Sequence, residues 1–130
     1  MATAPQYAAA PHNMIGLVPA ALDASFAAPS NVTTLGSAGI SGTKISQIDV
    51  EPVGTVVAGL VNIFLYDGTA YHLLESVTIT AAAVSTTVPP VKIPYAYDNL
   101  TLPAGWSLRV TTTIAGNVSL VQVAAYGADF

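Results

Sequence analysis

The sequence predicts an all-β protein, an antiparallel, jelly-roll-like β-sandwich with an extended N-terminal arm. Two observations carry this. From Ile15 onward Val, Ile and Thr dominate, in short runs separated by Gly, Pro, Asn and Asp. Within Trp106–Thr113 the residues alternate with period two: Trp106, Leu108 and Val110 face one way, and Ser107, Arg109, Thr111 and Thr113 the other. Many short strands at turn-rich spacing are the pattern of a sandwich or barrel.

Residues 1–14 are Ala-rich and contain Pro5 and Pro11. Proline fixes φ and disfavours helix in the residue before it, so an extended arm is expected. Tyr7, His12 and Met14 make it a candidate contact with a neighbouring subunit, because an apolar arm without cover is normally disordered. Residues 15–130 are expected to form a single β-sandwich domain. The expected strands are Ile15–Leu22, Asn31–Leu35, Lys44–Val53, Val57–Tyr66, Tyr71–Thr80, Ser85–Lys92, Asn99–Leu102, Trp106–Thr113 and Val118–Tyr126. A short helical turn fits Ala20–Ala28, bracketed by Pro19 and Pro29.

Gly36, Gly39 and Gly42 form a loop ahead of Lys44. In Ile48–Glu51, Ile48 and Val50 point inward and Asp49 and Glu51 outward. The run Val57–Tyr66 has two apolar faces: Val61, Ile63 and Leu65 on one, Leu60, Phe64 and Tyr66 on the other. One face meets the core; the second needs a loop, the arm or another chain. Leu60, Phe64 and Tyr66 are therefore candidate interface residues. Asp67-Gly68 and Ala115-Gly116-Asn117 are hairpin turns, and Pro103-Ala104-Gly105 is a tight turn. Pro89-Pro90 cannot donate ladder hydrogen bonds, so that strand lies at an edge or leaves the sheet there. Tyr95 and Tyr97, in the PYAYDN segment, are candidates for a subunit boundary, since Tyr brings apolar area with a polar tip.

Composition narrows the function. The chain of 130 residues is 52% hydrophobic and 8% charged, against about 25% charged in a typical soluble domain. Lys44, Lys92 and Arg109 are outnumbered by seven carboxylates, for a net charge of -4. That excludes a nucleic-acid surface, which needs clustered Lys and Arg. No basic amphipathic segment suggests a membrane surface. The longest apolar stretch, Val56–Tyr66, is too short to span a bilayer and contains Gly59 and Asn62. The first ten residues lack the basic start of a signal peptide. Cysteine is absent, which removes disulfides and thiolate metal sites. Charge depletion with apolar excess is the composition of a surface covered by partners.

No catalytic constellation is expected. His72 and Glu75 stand three apart, and such positions in a strand face opposite sides. Asp49 and Glu51 share a face, which can serve calcium or acid–base work, but a solvent-facing strand explains them with fewer requirements. There is no EF-hand spacing, phosphate-cradling glycine loop or GxSxG motif. No metal ligand, cofactor or catalytic residue is assigned. Trp106 could stack on a sugar, yet its register directs it to the core.

The segments Ile45–Val50, Val61–Gly68, Leu73–Ile79, Leu102-Pro-Ala-Gly-Trp-Ser-Leu-Arg-Val-Thr-Thr and Ala124-Ala-Tyr-Gly-Ala-Asp-Phe together resemble small β-sandwich virion proteins of tailed phages, of the capsid decoration (cement) type. The resemblance covers about residues 44–130 as a spaced set of turn motifs. It implies a homotrimer on the outer surface of the capsid, partnered by the major capsid protein and tying neighbouring capsomers together. It brings no catalytic residues. Asp67, Gly68, Pro103, Gly105 and Trp106 enter as fold determinants only. The alternatives are a tail-, neck- or baseplate-associated virion protein, and a carbohydrate-binding β-sandwich.

Overall fold

A computed structural model describes residues 7–81, 83–114 and 120–130. It contains eight strands: β1 (Ala10–Leu17), β2 (Thr33–Ser37), β3 (Thr43–Pro52), β4 (Gly59–Tyr66), β5 (Tyr71–Ile79), β6 (Ile93–Leu102), β7 (Ser107–Thr112) and β8 (Val121–Asp129). They form two four-stranded antiparallel sheets, β1-β8-β3-β6 and β2-β7-β4-β5. The first strand pairs the last, the second pairs the seventh, the third the sixth and the fourth the fifth. Four nested antiparallel pairs wound over two sheets are the jelly-roll arrangement. The fold expected from the sequence is therefore the fold observed.

The core lies between the sheets. Ile45, Ile48 and Val50 of β3 and Val121, Val123 and Ala125 of β8 meet Val61 and Ile63 of β4 and Leu108 and Val110 of β7. Ile45 and Ile48 are three apart yet both are 0% exposed. The β3 register shifts between Ile45 and Gln47, and that extra residue resets the alternation.

Three expected elements differ. The first strand begins at Ala10, not Ile15, and ends at Leu17. Residues 10–14 of the expected arm thus pair with β8 of the same chain. Pro11 is tolerated because β1 is an edge strand, where one row of N–H groups has no ladder partner. No strand occupies Ser85–Lys92; β6 starts at Ile93, past Pro89-Pro90, and absorbs both PYAYDN and the expected Asn99–Leu102 strand. The two prolines remove consecutive donors, so pairing begins only after them. Ala20–Ala28 holds no helical turn. Asp23 organises it instead, accepting hydrogen bonds from the backbone N–H groups of Ser25, Ser30 and Asn31. The Ala115-Gly116-Asn117 turn lies outside the described residues.

Gly36 of the expected loop lies in β2 opposite Leu108, whereas the Asp67-Gly68 and Pro103-Ala104-Gly105 turns form as read. Asp67 accepts from the N–H groups of Thr69 and Ala70, and Gly68 has φ 97°. Gly105, at φ 85°, lets the Trp106 N–H reach the Pro103 carbonyl at 3.1 Å. A positive φ at the third position of a turn favours glycine.

Candidate interface on the outer sheet face

The outward face of β2-β7-β4-β5 is assembled by register. Phe64 stands opposite Arg109, Asn62 opposite Thr111, and Tyr66 opposite both Tyr71 and Ser107. The Arg109 guanidinium lies over the Tyr66 ring, 3.9 Å from its centroid. It donates from Nε to Ser107 Oγ at 3.1 Å and from Nη1 to the Tyr71 hydroxyl at 3.0 Å. Tyr71 packs against Tyr66, with centroids 4.5 Å apart, and edge-on to Phe64, at 5.7 Å and 83°. The result is a cation set in an aromatic frame, with Leu73 43% exposed on the adjoining strand. Tyr and Arg in this combination are typical anchors of protein–protein contacts. Further along the same face Asn62 is 0% exposed and its Oδ1 accepts from Ser76, while Asn62 Nδ2 and Thr111 Oγ1 have no hydrogen-bond partner among the described residues.

The expected interface residues divide. Tyr7 is 79% exposed. Leu60 and Tyr66 are half-buried on the outer face described above. Met14 and Phe64 are 2% and 0% exposed within their own chain, which corrects their assignment as interface residues. Met14 joins the core because β1 is a strand of the sandwich, and Phe64 is enclosed by its neighbours on the sheet. Tyr95 and Tyr97 are half-buried and pack against the core of their own chain, since the period of two turns both inward. The Tyr97 hydroxyl donates to Glu75 at 3.2 Å, and burial, then the Glu75 charge, pushes its pKa up. Trp106 packs against the core and stacks with His72, centroids 5.7 Å apart. His72 in turn meets Asp67 at 3.0 Å rather than Glu75.

His12 is half-buried and forms a clasp. Its Nδ1 lies 2.7 Å from Asp129 Oδ1, which also accepts from the Thr43 hydroxyl at 2.6 Å. This ties β1, β3 and β8 together at one end. It is no nucleophile–base relay, because Thr43 is 0% exposed and donates to the carboxylate rather than to the imidazole. Asp49 faces outward as expected but is only 5% exposed, held by Gln47 at 2.6 Å and Lys92 at 3.6 Å. Among the described residues, no three of His, Cys, Asp and Glu gather closely enough to hold a metal ion.

These carboxylates give the fold an acid limit. Backbone N–H groups of Asn31, Ser25 and Ser30 lower the Asp23 pKa to about 2. The Ala70 N–H and the His72 ring lower Asp67 to about 2. The Thr43 hydroxyl and His12 lower Asp129. A carboxyl whose folded pKa is depressed stabilises the fold fully above its unfolded value near about 4, and that contribution is lost as pH falls through the folded value. For these groups, melting temperature is therefore expected to hold between pH 7 and 5 and to fall between about pH 4 and 2. Calorimetry across that range checks it. Asp67→Asn should flatten part of the fall.

No protein-family model matches the chain, and no curated protein matches it. The solved structures that match the chain include two, each described as a pentameric capsid protein isolated from metagenomic phage sequences. The first has a TM-score of 0.47 and 16% identity, and the second 0.43 and 15%. Each alignment covers 90% of this chain and 61% of the other, so the chain spans under two thirds of their length.

Proposed function

We propose that this is a tailed-phage virion structural protein, a capsid decoration protein that binds the outer surface of the head and bridges capsid subunits. The observation that carries it is the Arg109–Tyr66–Tyr71 anchor on the outer face of a jelly roll whose chain is only 8% charged. Jelly rolls recur in viral capsid and lectin domains. Fold alone does not select between them, but the resemblance of the LPAGW turn and its neighbouring motifs to small tailed-phage virion proteins favours the virion. The lectin reading loses its best platform, because Trp106 already stacks with His72.

The partner in this reading is the major capsid protein, and the protein acts as a homotrimer. The number three rests on the resemblance alone. Closed cyclic symmetry lets unlike patches meet without leaving sticky ends. Several copies on one lattice add through effective concentration, so each contact can be weak. No chemistry is involved.

Attachment tests this. Purified protein added to DNA-free heads that lack it should co-sediment and saturate at a fixed ratio to the capsid subunit. Binding confined to tails or baseplates would move the protein to that alternative, and binding to a glycan array in place of heads would favour the carbohydrate reading.

A further inference from the structure

Arg109 carries a charge that the chain does not neutralise. All seven carboxylates lie among the described residues, and none forms an ion pair with it. Asp23, Asp49, Asp67, Glu75 and Asp129 are held by other groups. Glu51 and Asp98 belong to β3 and β6, in the opposite sheet. A half-buried guanidinium without an anion is costly, and proteins ordinarily pair such a group. Here the cation is also oriented. Of its five N–H donors, Ser107 and the Tyr71 hydroxyl engage two groups, and the Tyr66 ring covers it from one side. Among the described residues Nη2 has no acceptor, and Nη1 and Nη2 together are the pair through which a guanidinium can receive a carboxylate with two hydrogen bonds.

We infer that the Arg109 fork, framed by Tyr66 and Tyr71, is a seat for an Asp or Glu side chain of the capsid shell. This deepens the decoration reading and rests on it. Charge complementarity selects the occupant: an oriented guanidinium with no anion in its own chain takes a carboxylate. A second copy of this chain is the competing source. In the homotrimer proposed above, a neighbouring copy would have to supply one of seven carboxylates, of which Asp23, Asp49, Asp67, Glu75 and Asp129 are already engaged within their own chain.

Tyr71 is a positioning residue for this seat. Its hydroxyl holds Nη1, so Tyr71→Phe keeps the charge and the ring but loosens the fork.

The test measures binding to DNA-free heads by wild type, Arg109→Gln, Arg109→Lys and Tyr71→Phe, with melting curves confirming that each variant is folded. Arg109→Gln should weaken binding about tenfold or more, as expected when one partner of a desolvated pair is lost. Arg109→Lys and Tyr71→Phe should fall between it and wild type, because a point charge or an untethered fork loses the bidentate geometry. Heads whose surface carboxylates have been amidated should bind wild type only as well as untreated heads bind Arg109→Gln. Should Arg109→Gln fail to fold, Arg109→Lys and the amidated heads carry the test. Equal binding by Arg109→Gln and wild type would overturn the seat and leave the decoration reading intact. Loss of self-association, with head binding per copy unchanged, would overturn the shell as its source in favour of a second copy. Wild type that does not bind heads would overturn the decoration reading and this partner with it.

Discussion

Phe64→Ala is expected to lower the melting temperature of the isolated protein by roughly 15 °C. Phe64 lies outside the core cluster between the sheets, yet it is 0% exposed. On the outer face it packs nearly perpendicular to the Tyr71 ring and stands opposite Arg109. Truncating a buried Phe costs about 3–5 kcal/mol, from lost transfer energy and the cavity left behind. For a domain of this size each kcal/mol moves the midpoint by about 4 °C. The same change should weaken attachment to heads, since Tyr71 loses the ring that braces it. The diagnostic readout is the stability of free protein at two concentrations. A melting temperature within about 1 °C of wild type would show that Phe64 is not enclosed by its own chain and would return it to the list of contact residues.

Gly127→Ala is expected to cost about 3 kcal/mol, at the upper end of ordinary overpacking. Gly127 sits in β8 opposite His12 of β1 and Ile45 of β3. A Cβ there would overlap the Lys44 carbonyl oxygen and approach Ile45 Cδ1 at 3.2 Å. The first obstacle is backbone and cannot rotate away, so the β8–β3 pairing must open where β3 already carries its register shift. A urea midpoint lowered with an unchanged slope is the expected result. A midpoint equal to wild type would mean that the strands are not so closely paired there.

The jelly roll was legible because two local signals agreed: β-branched runs with period two, and turns whose glycines must adopt positive φ. What local pattern could not supply was the effect of bulges. Strict alternation from Val77 would turn Tyr71, Leu73 and Glu75 toward the core. The register shift between Ile63 and Phe64 breaks that alternation and brings Tyr71 beside Tyr66 on the outer face. Arg109 was correctly placed on the face away from the core, but its partners come from β4 and β5, and cross-strand neighbours are fixed by pairing rather than by sequence distance. The same limit hid the His12–Asp129 clasp, whose members are 117 residues apart. Ser85–Lys92 misled because its Ser, Thr and Val content suits a strand, while Pro89 and Pro90 veto the hydrogen bonds a strand needs.

The claim that the protein works by assembly, and not by chemistry, meets its most direct test in the heat resistance of heads with and without it. A protein that binds the assembled shell but not its dissociated subunits lowers the free energy of the shell alone. Heads saturated with wild-type protein should therefore melt at a higher temperature than bare heads and retain DNA longer on warming, with Arg109→Gln giving a smaller gain at equal protein concentration. Bare and saturated heads that melt together and lose DNA at the same rate would contradict the account.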